Sequence, residues 1–509
     1  MSPISKTSYD EFPYESFPIP GTHPDRLATQ ARLAGIQTPS LETCRVLELG
    51  CAGGGNLIPM AVELPGAQFV GVDLSASQVA DGDAVIRALQ LSNVQLIACS
   101  VMDIDDSFGQ FDYIIAHGIY SWVPNAVQEK ILEICNRRLV PSGVAYVSYN
   151  TLPGWRMRAM IRDLMRYHAL QFSEPDKRVA QARSILDFLA RAVPDENSAY
   201  GKLLRSELEL LRSTPDYYIL HEHLEELNEP LYFHEFIERA FRHGLQYLAE
   251  AEIATMQASR FPPQVRDTVR RLASDPIREE QLMDFLGNRT FRQTLLVHTE
   301  QRVDRRVTTE RVQQLWVSSS AAPARRNPNL AEGIVEQFCT AAGMCLNTPK
   351  AITKSALLTL NARWPVAVAE PELMASAYSR LHPLAAKPPR AEDSETLAGD
   401  LLHGYAAGIV ELHVRASPFS IEPGTRPRVN PLARYQAERG VRVTTLRHDS
   451  IVVPDSIRAL LPLLDGSRTL DEVSAAASAQ KPGLLSKFAD PALLKTAVDQ
   501  IARNTLIGN

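Results

Sequence analysis

From Arg45 to Asn150, short apolar runs alternate with amphipathic stretches, and the rhythm predicts strand, helix, strand, helix. "RVLELG" (45–50) reads as a strand, and "NLIPMAVEL" (56–64) as a helix stopped by Pro65-Gly66. "AQFVGVDLS" (67–75) is a second strand and "SQVADGDAVIRALQL" (77–91) a second helix. "VQLIACS" (94–100), "FDYIIAHG" (111–118) and "GVAYVSYN" (143–150) supply three more strands. Pro124 opens a helix over 125–139, which Pro141-Ser142-Gly143 ends. Strands that are continuous Val/Ile/Leu runs, separated by helices, predict an α/β fold with a parallel, Rossmann-like sheet covered on both faces.

After Asn150 the pattern turns helical from Met157 to about Leu211. The stretch 232–253 reads as helix, glycine stop and strand, so the chain is expected to return to the same sheet around a helical insertion at 171–215. The pattern predicts an N-terminal lid segment (1–40), a catalytic domain (41–256) and a mostly helical middle domain (257–381). A Pro- and Ala-rich linker (381–395) leads to a C-terminal module (396–509). In that module, 450–473 reads as strand, helix, Gly turn and Thr-capped helix, a winged-helix-like arrangement.

Composition narrows the picture. A chain of 509 residues calls for two to four domains. With 45% hydrophobic and 22% charged residues and no 18-residue apolar run, no membrane span is expected. The first twenty residues carry Asp10, Glu11 and Glu15 and no apolar core, unlike a signal peptide, so a cytoplasmic protein is expected. A net charge of −6 argues against general nucleic-acid binding. Six cysteines without a CxxC pair predict reduced thiols and no metal site.

"VLELGCAGGGN" (46–56) is a strand entering a glycine turn that opens a helix, where the backbone approaches a ligand closely. Such a turn serves NAD, FAD or S-adenosylmethionine, and spacing must decide. Glu48, Gly50 and Gly54, with Ala52 between the glycines, form an E-x-G-x-x-x-G pattern that resembles motif I of class I S-adenosylmethionine-dependent methyltransferases. Ala52 stands at a usual glycine position and tolerates its methyl only with a negative φ. Asp73 ends the second strand where a carboxylate accepts ribose hydroxyls; Met102 and Asp103 follow the third, where this class holds adenine. The expected cofactor cradle is Glu48, Gly50, Cys51, Ala52, Gly54, Asn56, Asp73, Leu74, Gln78, Met102, Asp103, His117 and Gly118.

The resemblance extends beyond that turn. "YDEFPYESFPIPGTHPDRLA", "FVGVDLSASQVADG", "FDYIIAHGIYSWVP", "AYVSYNTLPGW", "HEHLEELNEPLYFHEF" and "LLDGSRTLDEV" together resemble bacterial methyltransferases with a methyltransferase regulatory domain, among them rickettsial outer-membrane-protein lysine methyltransferases. The resemblance implies S-adenosylmethionine as cofactor and accessory domains that present a protein substrate, such as a cell-envelope protein. A small-molecule acceptor, a non-catalytic cofactor-binding regulator and a homodimeric assembly stay open, as does an NAD enzyme.

"HGIYSWVP" (117–124) follows the fourth strand, which in this class faces the transferred methyl. The Asn-Pro-Pro-Tyr type of motif found there in many amine methyltransferases is missing. His117, Tyr120 and Tyr149 are the expected catalytic residues. His117 and Tyr120 are favoured for the site, with Trp122 as support against the core. Tyr9, Tyr14 and His23 are expected in a lid; Tyr14, His23, Trp122, Asn150, Trp155 and Glu222 are expected to meet the acceptor. His221 and His223, two residues apart, do not share a helix face, so 221–226 is expected as loop or strand at the rim.

Overall fold

The computed structural model describes residues 15–256, 261–383, 389–480 and 485–508. Its centre is a seven-stranded sheet: β1 (Arg45–Leu49), β2 (Gln68–Asp73), β3 (Val94–Ala98), β4 (Phe111–Ala116), β5 (Leu139–Asn150), β6 (Leu245–Glu250) and β7 (Phe291–His298). The order is β3-β2-β1-β4-β5-β7-β6, with β1 to β5 parallel and β7 antiparallel to both neighbours. The α/β expectation therefore holds. The two faces carry separate cores, one around Val46, Phe69 and Tyr113, the other around Leu47, Ile114 and Phe236. This double burial is why the strands read as continuous apolar runs.

The returning segment forms as expected, with helix Phe233–Arg242, Gly244 at φ 74° and then β6. Its neighbour in the sheet is β7, however, which the pattern reading assigned to a helical middle domain. A fully buried Arg292 near the start of β7 breaks the apolar run that would have announced a strand. Arg292 binds Glu250 at 2.7 Å, Asp284 at 2.9 Å and Glu280 at 3.0 Å, and lies over the Phe233 ring. The inserted helices also begin earlier than 171, at Gly154, and run as Gly154–Ala169, Pro175–Ala192 and Ala199–Arg212 to a π-helical turn at Ile219–Leu224.

The middle and C-terminal boundaries shift as well. Helix Ala391–Ala406 and strand Glu411–His413 bury Leu397, Leu401 and Leu412 in the middle domain's core, so that domain extends past 396. The C-terminal core includes Val429, Leu461 and Val498. Within it, strand Ser450–Val452, helix Asp455–Leu460 and helix Leu470–Gln480 follow the expected order. Thr469 caps the last of these, accepting from the Glu472 N–H, while the Glu472 carboxylate accepts from the Thr469 N–H at 2.7 Å. The expectation of six reduced cysteines is corrected. Cys339 and Cys345 form a disulfide, because the antiparallel pairing of Glu336–Cys339 with Cys345–Thr348 sets them directly opposite. Cys44, Cys51, Cys99 and Cys135 are free and buried.

Candidate active site

One cavity of about 950 Å³ opens at the C-terminal ends of β1, β2, β4 and β5. Open α/β sheets bind ligands at this edge, where the crossovers leave a crevice. Its first half is built from turns. Gly50 and Cys51 N–H both donate to Val72 O, and the Ala52 N–H donates to Asp73 Oδ2 at 2.7 Å. The Ser75 N–H donates to Asp73 Oδ1 at 2.8 Å, so one carboxylate ties two strand-end turns together. Ala52 has φ 48°. The requirement for a negative φ there is thus overturned: the hydrogen bond to Asp73 offsets a left-handed cost of about 1–2 kcal/mol for a residue with a Cβ.

Glu48 is buried, and its Oε1 accepts from Asn56 Nδ2 at 2.8 Å. Burial pushes its carboxyl up to about 8, against the pull of that hydrogen bond. Glu48 Oε2 has no hydrogen-bond partner among the described residues. A buried carboxyl oxygen left open at a cavity wall suits a donor or cation from a ligand, which would favour the charged form against the effect of burial. Residues 15–19 lie across the turn: Gly55 N–H donates to Ser16 Oγ at 2.8 Å, and a Cβ at Gly55 would stand 2.3 Å from Ser16 O. Glu15, Ser16, Phe17 and Ile19 line the cavity, as a lid would; Tyr9 and Tyr14 lie outside the described residues.

Most of the expected cradle lines the cavity: Glu48, Gly50, Cys51, Ala52, Asn56, Asp73, Leu74, Gln78, His117 and Gly118. Gly54, at φ 72°, closes the turn from beneath and packs against Leu96 and Ile58. Met102 and Asp103 do not reach the cavity. Their short 3-10 turn exposes both, and Ser100 and Val101 form the wall instead.

The second half is lined by Trp122, Asn150, Trp155, Arg158, Tyr218, His221, Glu222 and Glu225. Trp122 and Trp155 meet edge-to-face, 6.2 Å between ring centroids. The π-helical turn carries His221 and Glu222, correcting the loop-or-strand expectation; His223 is buried against Tyr218. Its last carbonyls receive Arg162 and Arg166, which bind Glu225 O, with Arg166 also reaching Leu224 O at 2.5 Å. Burial raises the Glu222 carboxyl to about 7, although Arg158 and Arg162 pull it down.

Three expected residues are placed elsewhere. Tyr120 is fully buried, edge-on to Phe236 and Tyr149, because the turn Tyr120–Trp122 sends Tyr120 inward and Trp122 to the cavity. Tyr120, favoured for the site, is thus a core residue, whereas Trp122 lines the cavity, where it was expected to meet the acceptor, rather than bracing the core. Tyr149 faces the opposite side of β5 from Asn150, stacked 4.1 Å from Phe236 and 3.2 Å from Thr294 Oγ1. His23 caps helix Pro24–Leu33 and pairs with Glu63 at 3.3 Å, away from the cavity. His117 does face the cavity, its Nδ1 2.8 Å from Tyr146 OH, and burial lowers its imidazole to about 4.

Arg158, Tyr218 and Phe291 line the cavity unforeseen. The signal for the first was present: Trp155, Arg158, Arg162 and Arg166 recur at three- and four-residue spacing on one helix face.

A glycine turn on β1, an acid ending β2 and an open cavity at the switch in strand order define a class I S-adenosylmethionine-dependent methyltransferase. The comparisons agree: residues 47–145 match a methyltransferase domain, 215–298 a predicted methyltransferase regulatory domain, and 425–506 the C-terminal winged helix domain of PKMT. The Rickettsia prowazekii protein RP789 is 38% identical over 463 residues, covering 90% of this chain and 83% of that one. PKMT2 from Rickettsia typhi, solved in complex with AdoHcy (S-adenosylhomocysteine), superposes with a TM-score of 0.85 at 30% identity, covering 97% of this chain and 100% of that one. The chain belongs to this family of methyltransferases with a regulatory domain and a PKMT-type winged helix, and its cofactor is S-adenosylmethionine.

Proposed function

We propose that the enzyme methylates the side-chain amine of lysine in a protein substrate. The observation that carries this reading is the pair Glu222 and Glu225 lining the same cavity as Trp122, Trp155 and the glycine turn. Carboxylates and indole faces both attract a cationic amine.

In this reading Glu48, Asp73 and Gln78, with the Gly50–Ala52 backbone, hold the cofactor, which when bound supplies a methyl group on a sulfonium. The amine must be neutral to attack. A solvent-exposed lysine titrates near about 10.4, so deprotonation at pH 7 costs about 4.6 kcal/mol. Glu222 is suited to take that proton, because its carboxyl sits near neutrality. Trp122 and Trp155 narrow the approach and hold the amine in line, and orientation of this kind supplies on the order of 7–11 kcal/mol. His117, held neutral by burial, is itself oriented at the cavity wall by its hydrogen bond with the buried Tyr146 hydroxyl.

Incubation with methyl-labelled S-adenosylmethionine and cell-envelope protein, followed by peptide mass spectrometry, should place the label on lysine side chains. Label on small molecules alone would replace this reading with a small-molecule acceptor.

A further inference from the structure

The Asn56 side chain is a junction of three parts of the molecule. Its Oδ1 accepts from the Ile19 N–H at 2.9 Å, which fixes the orientation of the amide, since a backbone N–H only donates. The Nδ2 group then donates to Glu48 Oε1 at 2.8 Å and to Thr22 Oγ1 at 3.0 Å. The remaining acceptor site on Oδ1 is filled from 392 residues away by His448, whose Nε2 lies 2.7 Å from it. With the amide so oriented, His448 must be the donor, in its Nε2-protonated form.

His448 sits at the tip of the C-terminal hairpin, between strands Arg442–Thr444 and Ser450–Val452. It is buried and holds φ 60°, a left-handed conformation that a non-glycine residue rarely adopts without a constraint. The same hairpin reaches the strap over the glycine turn, with the Arg442 guanidinium 5.3 Å from the centre of the Phe17 ring. Beside it, Arg447 binds Glu411 at 2.7 Å and lies over the Trp364 ring, contacts that dock the module without touching Asn56.

We propose that His448 is a positioning residue for S-adenosylmethionine: through Asn56 it holds Glu48 and the 15–19 strap in place, so that cofactor affinity and docking of the winged-helix hairpin are thermodynamically linked. The linkage runs both ways. A docked hairpin prepares the cradle, and a filled cradle favours the docked hairpin. This does not depend on the identity of the methyl acceptor, and AdoHcy alone serves as the probe.

Calorimetric titration of the full chain with AdoHcy tests it. H448N keeps a residue that tolerates the left-handed backbone but is too short to reach Asn56. It is expected to weaken AdoHcy binding about tenfold, and H448Q, whose longer amide can donate to Asn56, to recover most of that. R447Q, which loosens docking but leaves the Asn56 contact, is expected to weaken AdoHcy binding in the same direction but by less, about threefold. Hydrogen exchange on the unaltered protein gives the reciprocal arm: saturating AdoHcy should slow exchange across 442–452, and should not in H448N. Unchanged affinity in H448N, an equal loss in R447Q, or no AdoHcy-dependent protection of the hairpin in the unaltered protein overturns the proposal.

Discussion

The two halves of the cavity are built by different means. The cofactor half is made of turns at consecutive strand ends, held by main-chain N–H groups: Gly50 and Cys51 donate to Val72 O, and Ala52 and Ser75 to the Asp73 carboxylate. The other half, proposed to take the acceptor, is made of side chains on an inserted helix, a π-helical turn and the loop after β4, held by arginines bonded to carbonyls. The first is a property of the sheet, whereas the second depends on how distant segments pack. Changes in the cofactor half should therefore abolish ligand binding, and changes in the acceptor half should slow transfer while AdoHcy still binds.

The sharpest test is Asp73→Ala. It strips the acceptor from two N–H groups and frees Ala52 from its left-handed turn, so AdoHcy affinity should fall by more than a hundredfold in calorimetry, about 3 kcal/mol. If affinity fell less than tenfold, the turn would be held by something other than this carboxylate. Arg292→Met should come next, read as stability. It leaves the buried Glu250, Glu280 and Asp284 to share Arg289 alone, a loss of about 3 kcal/mol in denaturant unfolding.

Glu222→Gln separates the halves. Methyl transfer should slow by about 10²-fold with AdoHcy affinity unchanged within twofold. In the unaltered enzyme the rate should rise with pH through about 7, as Glu222 ionises, and this limb should vanish in the variant. The stability sign is opposite. Because burial raises the folded carboxyl from 4.5 to about 7, its contribution to folding is greatest below 4.5 and is lost as pH rises through 7. Arg166→Ala, which releases the end of the π-helical turn, should raise the acceptor KM about five- to tenfold with little change in kcat. Trp122→Phe, retaining an aromatic wall, should cost least, about threefold, whereas the same rate in Trp122→Ala would remove the indole from the acceptor site.

The same contrast explains what was legible in the sequence. Strands β1 to β5 and the residues from Glu48 to Gln78 could be read because strand, turn and helix are local, and glycine and aspartate mark where the backbone meets a ligand. Asp103 failed by a few positions, since a short 3-10 turn after β3 carries it outward. Tyr120 was misplaced because it and Trp122, two residues of one turn, point to opposite sides, which periodicity does not resolve. Strand β7 was hidden by Arg292, a charge that reads as surface until Glu250, Glu280 and Asp284 surround it. The disulfide was hidden because hairpin register, not spacing, brings Cys339 to Cys345. Arg158 belongs with these: its stripe was visible, but not what it faced.

The span of 392 residues between Asn56 and His448 also sets an order of events during synthesis. At about 5–20 residues per second, the ribosome delivers the hairpin roughly 20–80 s after the glycine turn. Through that interval the sheet can form, but the fourth hydrogen bond of Asn56 cannot, so the cradle is completed only after the hairpin has been made. On the proposed linkage, a nascent chain holds its cofactor at full strength only once the hairpin has docked on Asn56.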